Sequence, residues 1–219
     1  MPRVSRAEAE RSRRRVIDHT ARLIREKGPD QVSVPEAMAA AGLTHGGFYR
    51  HFASKDDLLA QALAAAFTER REAMERLADR PGDQSADQSA DRSGDDRTPR
   101  AEFLDRYLSE PHRDHPGHGC AAALAADAAR TEPGSPLRTA YTAGLRELVD
   151  ALAELPEGAG RQETLADLST MVGALLLARA SDDTALSEEF LTAARHRLAD
   201  GAVHGDGADG GGTGAPRTA

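Results

Sequence analysis

The fold of this chain is decided by residues 32–58, which read Val32-Ser-Val-Pro-Glu-Ala-Met-Ala-Ala-Ala-Gly-Leu-Thr-His-Gly-Gly-Phe-Tyr-Arg-His-Phe-Ala-Ser-Lys-Asp-Asp-Leu58. Ser33-x-x-Glu36 is a capping box, a pattern in which two side chains bond the free amides at a helix start. Pro35 suits the first turn of that helix, where no amide hydrogen is needed. Gly42 predicts the end of the helix, because glycine tolerates a positive φ.

A second short helix is expected after Thr44, and a third after Ser54, since both residues are good helix caps. Two short helices around a Gly-containing turn are typical of the DNA-binding helix-turn-helix. At about 100° per residue, Phe48 and Phe52 lie on one side of the second helix, and Gly46 and Arg50 lie opposite. We therefore expect the phenylalanines to pack inward and the other side to face DNA. A helical hairpin with a solvated polar face is the structural alternative.

Residues 14–60 resemble the DNA-binding domain of the TetR/AcrR family of bacterial transcriptional regulators. The matching motifs are Ile17-x-x-x-Ala21, Ala37-x-Ala39-x-x-Ala41-Gly42-Leu43 and Gly47-Phe48-Tyr49-x-His51-Phe52-x-Ser54-Lys55-x-x-Leu58. The resemblance implies that phosphates are held by Ser33, Tyr49, His51 and Lys55. It also implies that the positions facing bases are His45, Gly46, Gly47 and Arg50, with Thr44 at the amino end of the same side. Pro35 stands where some relatives make a base contact, so base reading is expected to depend on fewer side chains here.

Charge is divided along the chain in a way that fits this interpretation. Residues 1–55 carry 11 Arg/Lys and 6 Asp/Glu, a net charge of +5, whereas the remainder has a net charge of −13. A basic arm before an acidic body is the electrostatic pattern of a nucleic-acid-binding module on a larger domain. A disordered solubilising tail is the alternative. The arm's arginines are Arg3, Arg6, Arg11, Arg13, Arg14 and Arg15.

Composition predicts an all-α protein that works in the cytoplasm without a cofactor. Ala, Leu, Arg and Glu dominate the 219 residues, and strand-forming residues are scarce. No apolar run reaches the 18 or so residues of a membrane span, and the amino terminus lacks the apolar segment of a signal peptide. The single cysteine excludes an intramolecular disulfide and suits a reducing compartment.

Three parts are expected along the chain. Residues 1–55 form the arm and helix-turn-helix, residues 56–200 form a helical regulatory and dimerisation domain, and residues 201–219 form a disordered tail. Within the second part, residues 80–99 contain a polar repeat without an apolar face, which predicts a disordered insertion. A regulatory acidic arm is the alternative for this insertion.

Apolar stripes predict a long helix after Ser54 and five more in the body, over about 100–110, 119–131, 136–155, 163–180 and 187–200. The last two resemble the dimerisation pair of the family, which implies a four-helix bundle across a two-fold axis. An intramolecular core face is the alternative, because a stripe does not say what covers it. The predicted dimer residues are Leu168, Val172, Leu175, Leu176, Arg179, Phe190 and Ala194.

The resemblance further implies a repressor that binds a near-palindromic operator as a dimer and is released by a small-molecule inducer. Plain core packing is the alternative for each candidate pocket residue. The candidates are Met74, Phe103, Tyr107, Cys120, Leu124, Tyr141, Leu145 and Met171.

Residues 111–120 bring three histidines close to Cys120. Cys120 is expected at a helix start, an environment that makes thiols reactive, and the resemblance to a Gly-Cys subgroup of the family suggests a sensor of oxidants or electrophiles. A buried small residue is the bland alternative. A zinc site matches no standard spacing. A thiol enzyme using His115 or His118 lacks an orienting third group, so no catalytic activity is expected.

Overall fold

A computed structural model describes residues 5–79, 98–155 and 160–201, and every regular element within these ranges is helical. The predicted all-α fold is therefore confirmed. Short 3-10 helices lie between some of the α-helices, at His45–Arg50, Pro116–His118 and Ala121–Leu124. The α-helices are α1 (Arg6–Lys27), α2 (Val34–Ala40), α3 (Lys55–Ala78), α4 (Pro99–Tyr107), α5 (Glu110–Asp114), α6 (Ala125–Arg130), α7 (Pro136–Ala153), α8 (Arg161–Ala180) and α9 (Thr184–Gly201).

The first helices enclose a small apolar core. α1 begins at its Ser5 cap and ends where Gly28 adopts a φ of +85°. Its inner face contributes Val16 and Ile24, which are fully buried together with residues of α2 and the segment that follows it. This packing makes α1 the support on which the predicted helix-turn-helix rests, as its helical stripe indicated.

α3 joins this unit to the body. Ser54 caps it by accepting a hydrogen bond from the Asp57 amide at 3.0 Å. The helix packs along α7, where a Cβ on Gly144 would lie only 2.2 Å from Cδ2 of Phe67. Gly144 is therefore the residue that lets these two helices approach closely. The large apolar residues at helical spacing along α3 are all buried: Leu59, Leu63, Phe67, Met74 and Leu77.

Two predicted body helices are broken in the structure. The helix expected over 100–110 ends at Tyr107, because Ser109 accepts a hydrogen bond from the His112 amide and starts the separate helix α5. The helix expected over 119–131 begins as the 3-10 turn Ala121–Leu124 and becomes α-helical only at Ala125. A buried ion pair between Arg100 and Asp167, which the sequence did not predict, ties α4 to α8.

The dimer stripe predicted from the last two helices is partly wrong. Leu168, Leu175 and Ala194 are less than 7% exposed, because α8 and α9 pack against each other and the rest of the body. These residues belong to the intramolecular core, which was the alternative interpretation. The large apolar side chains that α8 and α9 leave exposed are Leu165, Leu177 and Leu186.

The predicted disordered insertion and tail lie almost entirely outside the described residues. Pro99 is the first residue of α4, so the predicted insertion ends inside that helix. Gly201 is the last residue of α9, so the predicted tail begins inside that helix. Within the described ranges, every helix is too short or too polar to cross a bilayer.

Candidate nucleic-acid interface

The two ends of α2 carry the residues that the sequence predicted for a helix start and a helix end. Ser33 accepts a hydrogen bond from the Glu36 amide at 3.3 Å, and Gly42 follows the helix with a φ of +72°. The other predicted hydrogen bond of the capping box, from the Ser33 amide to the Glu36 side chain, is wrong. The Glu36 carboxylate does not return to the helix start but binds the Lys27 ammonium at 2.6 Å. This hydrogen bond lowers the pKa of Glu36 and ties α2 to the end of α1.

The second short helix is a 3-10 helix, His45–Arg50, which we call the reading segment. Thr44 precedes it in an extended conformation but forms no capping hydrogen bond with its side chain, so the predicted cap is wrong. Phe48 and Phe52 are 1% and 3% exposed, as the helical wheel predicted. Their rings lie 5.5 Å apart between centroids and hold the segment on the core.

The opposite side of the reading segment is open to solvent. Tyr49 is 78% exposed, the largest exposed apolar side chain among the described residues, although its ring edge touches Phe48. Gly47, His51 and Lys55 are half-buried at the margin of this surface. The structure thus places all nine predicted DNA-binding residues around one end of the molecule. The exposed ones, which we call the reading face, are Ser33, Thr44, His45, Gly46, Tyr49 and Arg50.

Nothing inside the protein requires the two glycines of the reading segment. A Cβ on Gly46 would meet no atom within 4 Å, and one on Gly47 would meet only Met38 Cε at an ordinary 3.7 Å. Neither glycine has a positive φ. Glycine weakens a helix by about 1 kcal/mol relative to alanine, and packing among the described residues does not account for either glycine.

Arg13 has a structural position that the sequence analysis missed. Its guanidinium lies 5.6 Å from the centroid of the Phe52 ring, donates to the His51 carbonyl at 3.4 Å and binds the Gln61 side chain. The group therefore fixes the end of the reading segment and is not free to act as part of the basic arm. Its spacing from Val16 and Ile17, at three and four residues, was the signal that it faces inward.

The segment 112–120, which we call the connecting loop, lies behind this unit and contacts both α1 and α3. The His112 ring joins the end of α4 to the end of this loop. Its Nδ1 donates to the carbonyl of Tyr107, the last residue of α4, and its Nε2 accepts from the Cys120 amide at 3.1 Å. Both ring nitrogens are thus used by the neutral imidazole. Burial, followed by the positive charges of Arg70 and Arg179, lowers the pKa of His112 to about 4.

Three arginines from three helices bind carbonyl oxygens of the connecting loop. Arg179 of α8 donates to the carbonyls of Arg113 and His112, at 3.0 and 2.6 Å. Arg25 of α1 donates to the Gly119 carbonyl at 3.1 Å, and Arg70 of α3 approaches the His118 carbonyl at 3.5 Å. The loop therefore joins the helices behind the reading segment to α8.

Arg179 was predicted at the dimer interface, and its guanidinium binds carbonyls of the connecting loop. Gly117 lets the connecting loop pack closely against α1, because a Cβ there would lie 2.5 Å from Glu26 Oε1. The Pro-Gly-His-Gly sequence was the available signal, and it indicated tight backbone packing more than metal binding. Among the described residues, no group of three His, Cys, Asp or Glu side chains is placed to hold a metal ion.

Cys120 is 2% exposed and lies beside two phenols. The Tyr107 hydroxyl is buried without a hydrogen-bond partner, and burial together with the nearby thiol raises the pKa of Tyr107 well above its usual value. Burial raises the pKa of Tyr141 to about 12, and its hydroxyl donates to the Ala122 carbonyl at 2.9 Å. His115 and His118 have exposed side chains, and no hydrogen bond joins either of these described residues to the thiol. The imagined thiol–imidazole pair is not formed.

The predicted pocket residues are packed together in the body core. Six of them are at most 8% exposed: Met74, Phe103, Tyr107, Cys120, Leu124 and Met171. Tyr141 and Leu145 are half-buried against the same core. Core packing accounts for these side chains, and a ligand-binding role stays a prediction. A cleft of about 430 Å³, which we call the junction cleft, opens between the end of α1, residues 116–127 and α8.

Residues 16–62 match the family described as bacterial regulatory proteins of the tetR family. The HTH-type transcriptional regulator AcrR of Shigella flexneri is 36% identical over 61 residues, which are 28% of this chain and 28% of that relative. The sequence match thus spans little more than a quarter of the curated relative. The family match over residues 16–62 contains α2 and the whole reading segment.

Solved structures extend the likeness to the body helices. A TetR transcriptional regulator from Chloroflexus aurantiacus is 25% identical, with a TM-score of 0.66 over 90% of this chain and 97% of that one. The reduced form of NemR from Escherichia coli shares the fold at 17% identity and a TM-score of 0.66, covering 87% of this chain and 97% of that one. The helix-turn-helix thus matches the tetR family of bacterial regulatory proteins, and the helical body shares its fold with a TetR transcriptional regulator of known structure.

Proposed function

We propose that this protein is a ligand-responsive repressor that binds a near-palindromic operator as a homodimer and is released by a small-molecule inducer. The observation that carries the DNA-reading part is the reading face itself. A buried Phe48–Phe52 base presents Arg50, Tyr49 and Gly46 to solvent, Gly47 is half-buried beside them, and neither glycine is sterically required. A protein with no external partner at this surface has no need for that combination.

The roles of individual residues follow from their chemistry and their places on the reading face. Arg50 carries the fork geometry that binds both acceptors of a guanine edge in the major groove. Gly46 and Gly47 let the backbone approach the groove wall. Phosphate oxygens are suitable partners for Ser33, Tyr49, His51 and Lys55, because these residues surround the base-reading side and donate hydrogen bonds.

Dimerisation is proposed through the exposed apolar surface of α8 and α9. Leu165, Leu177 and Leu186 are 46%, 51% and 43% exposed, and Val172, Leu176 and Phe190 are half-buried beside them. A second copy covering this surface would remove apolar area from water. Two reading segments would then address two half-sites of the operator, which a single segment of six residues cannot do with the same specificity.

Ligand response is proposed to travel through the connecting loop. The loop is bound by arginines from α1, α3 and α8, so a shift of the loop changes the support of the reading segment and the proposed dimer helix together. A ligand acts as an inducer only if it binds the DNA-free arrangement more tightly, and the coupling equals that difference in affinity.

The test is selection of genomic DNA fragments by the purified full-length chain, followed by fluorescence anisotropy at several salt concentrations. A repressor retains specific fragments against bulk competitor, and its affinity falls steeply with salt because counterions are released from neutralised phosphates. Recovery of no preferred fragment would overturn the proposal.

A second candidate is regulation by an oxidant or electrophile that reacts with Cys120. It is favoured by one observation: the thiol is buried yet forms part of the wall of the junction cleft, through which a small reagent reaches it. Treatment with hydrogen peroxide or methylglyoxal should then release operator DNA from the wild-type protein but not from Cys120→Ser. Equal release from both proteins would rule out this mechanism.

A further inference from the structure

The junction cleft is bordered by one cation that forms no ion pair within the described part of the chain. Of the charged side chains around it, Glu26 pairs with Arg22 at 2.8 Å, and Asp127 pairs with Arg130 at 2.6 Å. Lys27 pairs with Glu36, and Arg25 with Glu69 at 2.9 Å. Among the described residues, no carboxylate oxygen lies within 4 Å of the Arg179 guanidinium, although it also borders the cleft.

Arg179 is held in place by neutral acceptors. Its Nε and Nη2 atoms donate to backbone carbonyls of the connecting loop, and Gly119 passes so close that a Cβ there would lie 3.0 Å from Nη2. Burial lowers the pKa of Arg179, and the electrostatic effects of Tyr107, Cys120 and Asp114, which act in the opposite direction, do not offset it. A half-buried cation at a cleft wall is stabilised by any anion that enters, more strongly than a cation in bulk water.

The remainder of the cleft wall favours a ligand with an apolar body. Ala123, Leu124 and Leu176 line it together with Pro116. The volume of about 430 Å³ lies within the range of small-molecule sites in proteins. The four ion pairs around the cleft leave no second unpaired cation among the described residues that line it, so the cleft suits one negative group and not a polyanion.

We propose that the junction cleft binds a small organic anion, a single carboxylate on a short apolar body, with Arg179 as its counter-ion. Such a ligand touches α1, residues 116–127 and α8 at once. It is therefore placed to alter how the helices behind the reading segment sit on the body. That the cleft is the inducer site depends on the proposed function, whereas the binding itself does not.

The test uses the full-length protein without DNA and isothermal titration calorimetry with octanoate, octan-1-ol and octylamine. Octanoate should bind, and the uncharged and cationic analogues of equal length should bind about tenfold more weakly or not at all. Equal binding of octanoate and octan-1-ol, or no binding of octanoate, would overturn the proposal.

Variants separate the site from general apolar binding. Ala123→Phe fills the cleft while keeping the Arg179 side chain and should abolish octanoate binding, whereas Ala126→Phe, at an exposed position on α6, should leave it unchanged. Arg179→Lys keeps the charge and should bind more tightly than Arg179→Gln. Unchanged binding by Ala123→Phe would contradict the assignment. Operator binding is measured separately, so its failure would overturn the proposed function and not the cleft.

Discussion

Gly46 and Gly47 are the residues at which folding and function make opposite demands. A methyl group at either position meets no close atom of the protein, so alanine should leave the free energy of unfolding unchanged or raise it by up to about 1 kcal/mol. The same methyl group would hold the backbone away from the groove. We therefore expect Gly46→Ala and Gly47→Ala to bind operator DNA at least about tenfold more weakly while melting no lower than the wild type.

Chemical denaturation and anisotropy measure the two effects on the same samples. Gly160→Ala is the matched control, because a Cβ there also meets no atom within 4 Å and the residue lies far along the chain from the reading face. It should change neither DNA affinity nor stability appreciably. Unaltered operator binding by both reading-segment variants would show that the glycines have no role in DNA approach.

His112 predicts an acid-sensitive component of stability. Its pKa of about 4 in the folded chain lies below the ordinary histidine pKa of 6.5, so the unfolded chain binds more protons between these two pH values. Stability from this group is complete above pH 6.5 and is lost as the pH falls toward 4. The loss should reach roughly 2 kcal/mol by pH 5, since one pKa unit corresponds to about 1.4 kcal/mol.

The measurement is the difference in unfolding free energy between the wild type and His112→Gln, from urea titrations at pH 7.5, 6 and 5. This difference should shrink as the pH falls, because only the wild type has an imidazole that is harder to protonate in the folded chain than in the unfolded chain. Carboxylates that titrate in both proteins cancel. A gap that stays constant with pH would contradict the proposed environment of His112.

At the scale of elements, the sequence predicted helices well where an apolar stripe and a cap agree. α1 and α3 begin at Ser5 and Ser54, and their inner faces are those that helical spacing indicates. The body helices were harder, because residues 108–125 combine histidine, glycine and proline with small apolar residues. Their conformation depends on arginines brought from α1, α3 and α8, and no local pattern reveals such contacts.

The stripe of α8 illustrates a second limit of sequence reasoning. Helical spacing identified Leu168 and Leu175 as apolar and facing one way, but it could not distinguish a partner helix in the same chain from one in another copy. The structure covers both residues internally and leaves Leu177 exposed. The reading segment was predicted more reliably, because its two phenylalanines define the buried side and the remaining residues then lie on the solvent-exposed side.

Gly144 tests the packing of α3 on α7. Gly144→Ala places a methyl carbon between 2.2 and 2.8 Å from three atoms of Phe67, which is 1% exposed and cannot move away freely. We expect a loss of about 1–3 kcal/mol in unfolding free energy, although alanine is the better helix former. Urea denaturation measures this loss. The exposed neighbour Ala143→Leu should be nearly neutral, and a stabilised Gly144→Ala would contradict the described contact.

At the scale of the whole molecule, dimerisation should depend on the exposed leucines and not on the buried stripe. Leu177→Glu introduces a charge into the proposed interface and should shift sedimentation from dimer to monomer without lowering helicity, because the side chain is 51% exposed in the single chain. Operator affinity should fall with it, since two linked reading segments bind better than one. Ala129→Glu, exposed on α6, should remain dimeric. A dimeric Leu177→Glu protein would place the interface elsewhere.

The central claim is that the reading segment recognises base pairs, and Arg50 tests it most directly. Anisotropy titrations compare wild type, Arg50→Ala and Arg130→Ala with the selected operator and with a scrambled duplex of equal length. Arg50→Ala should lose about 1–3 kcal/mol of binding to the operator while its weak binding to the scrambled duplex changes much less, and Arg130→Ala should match the wild type. Equal weakening of Arg50→Ala on both duplexes, or no weakening on either, would contradict base reading by this surface.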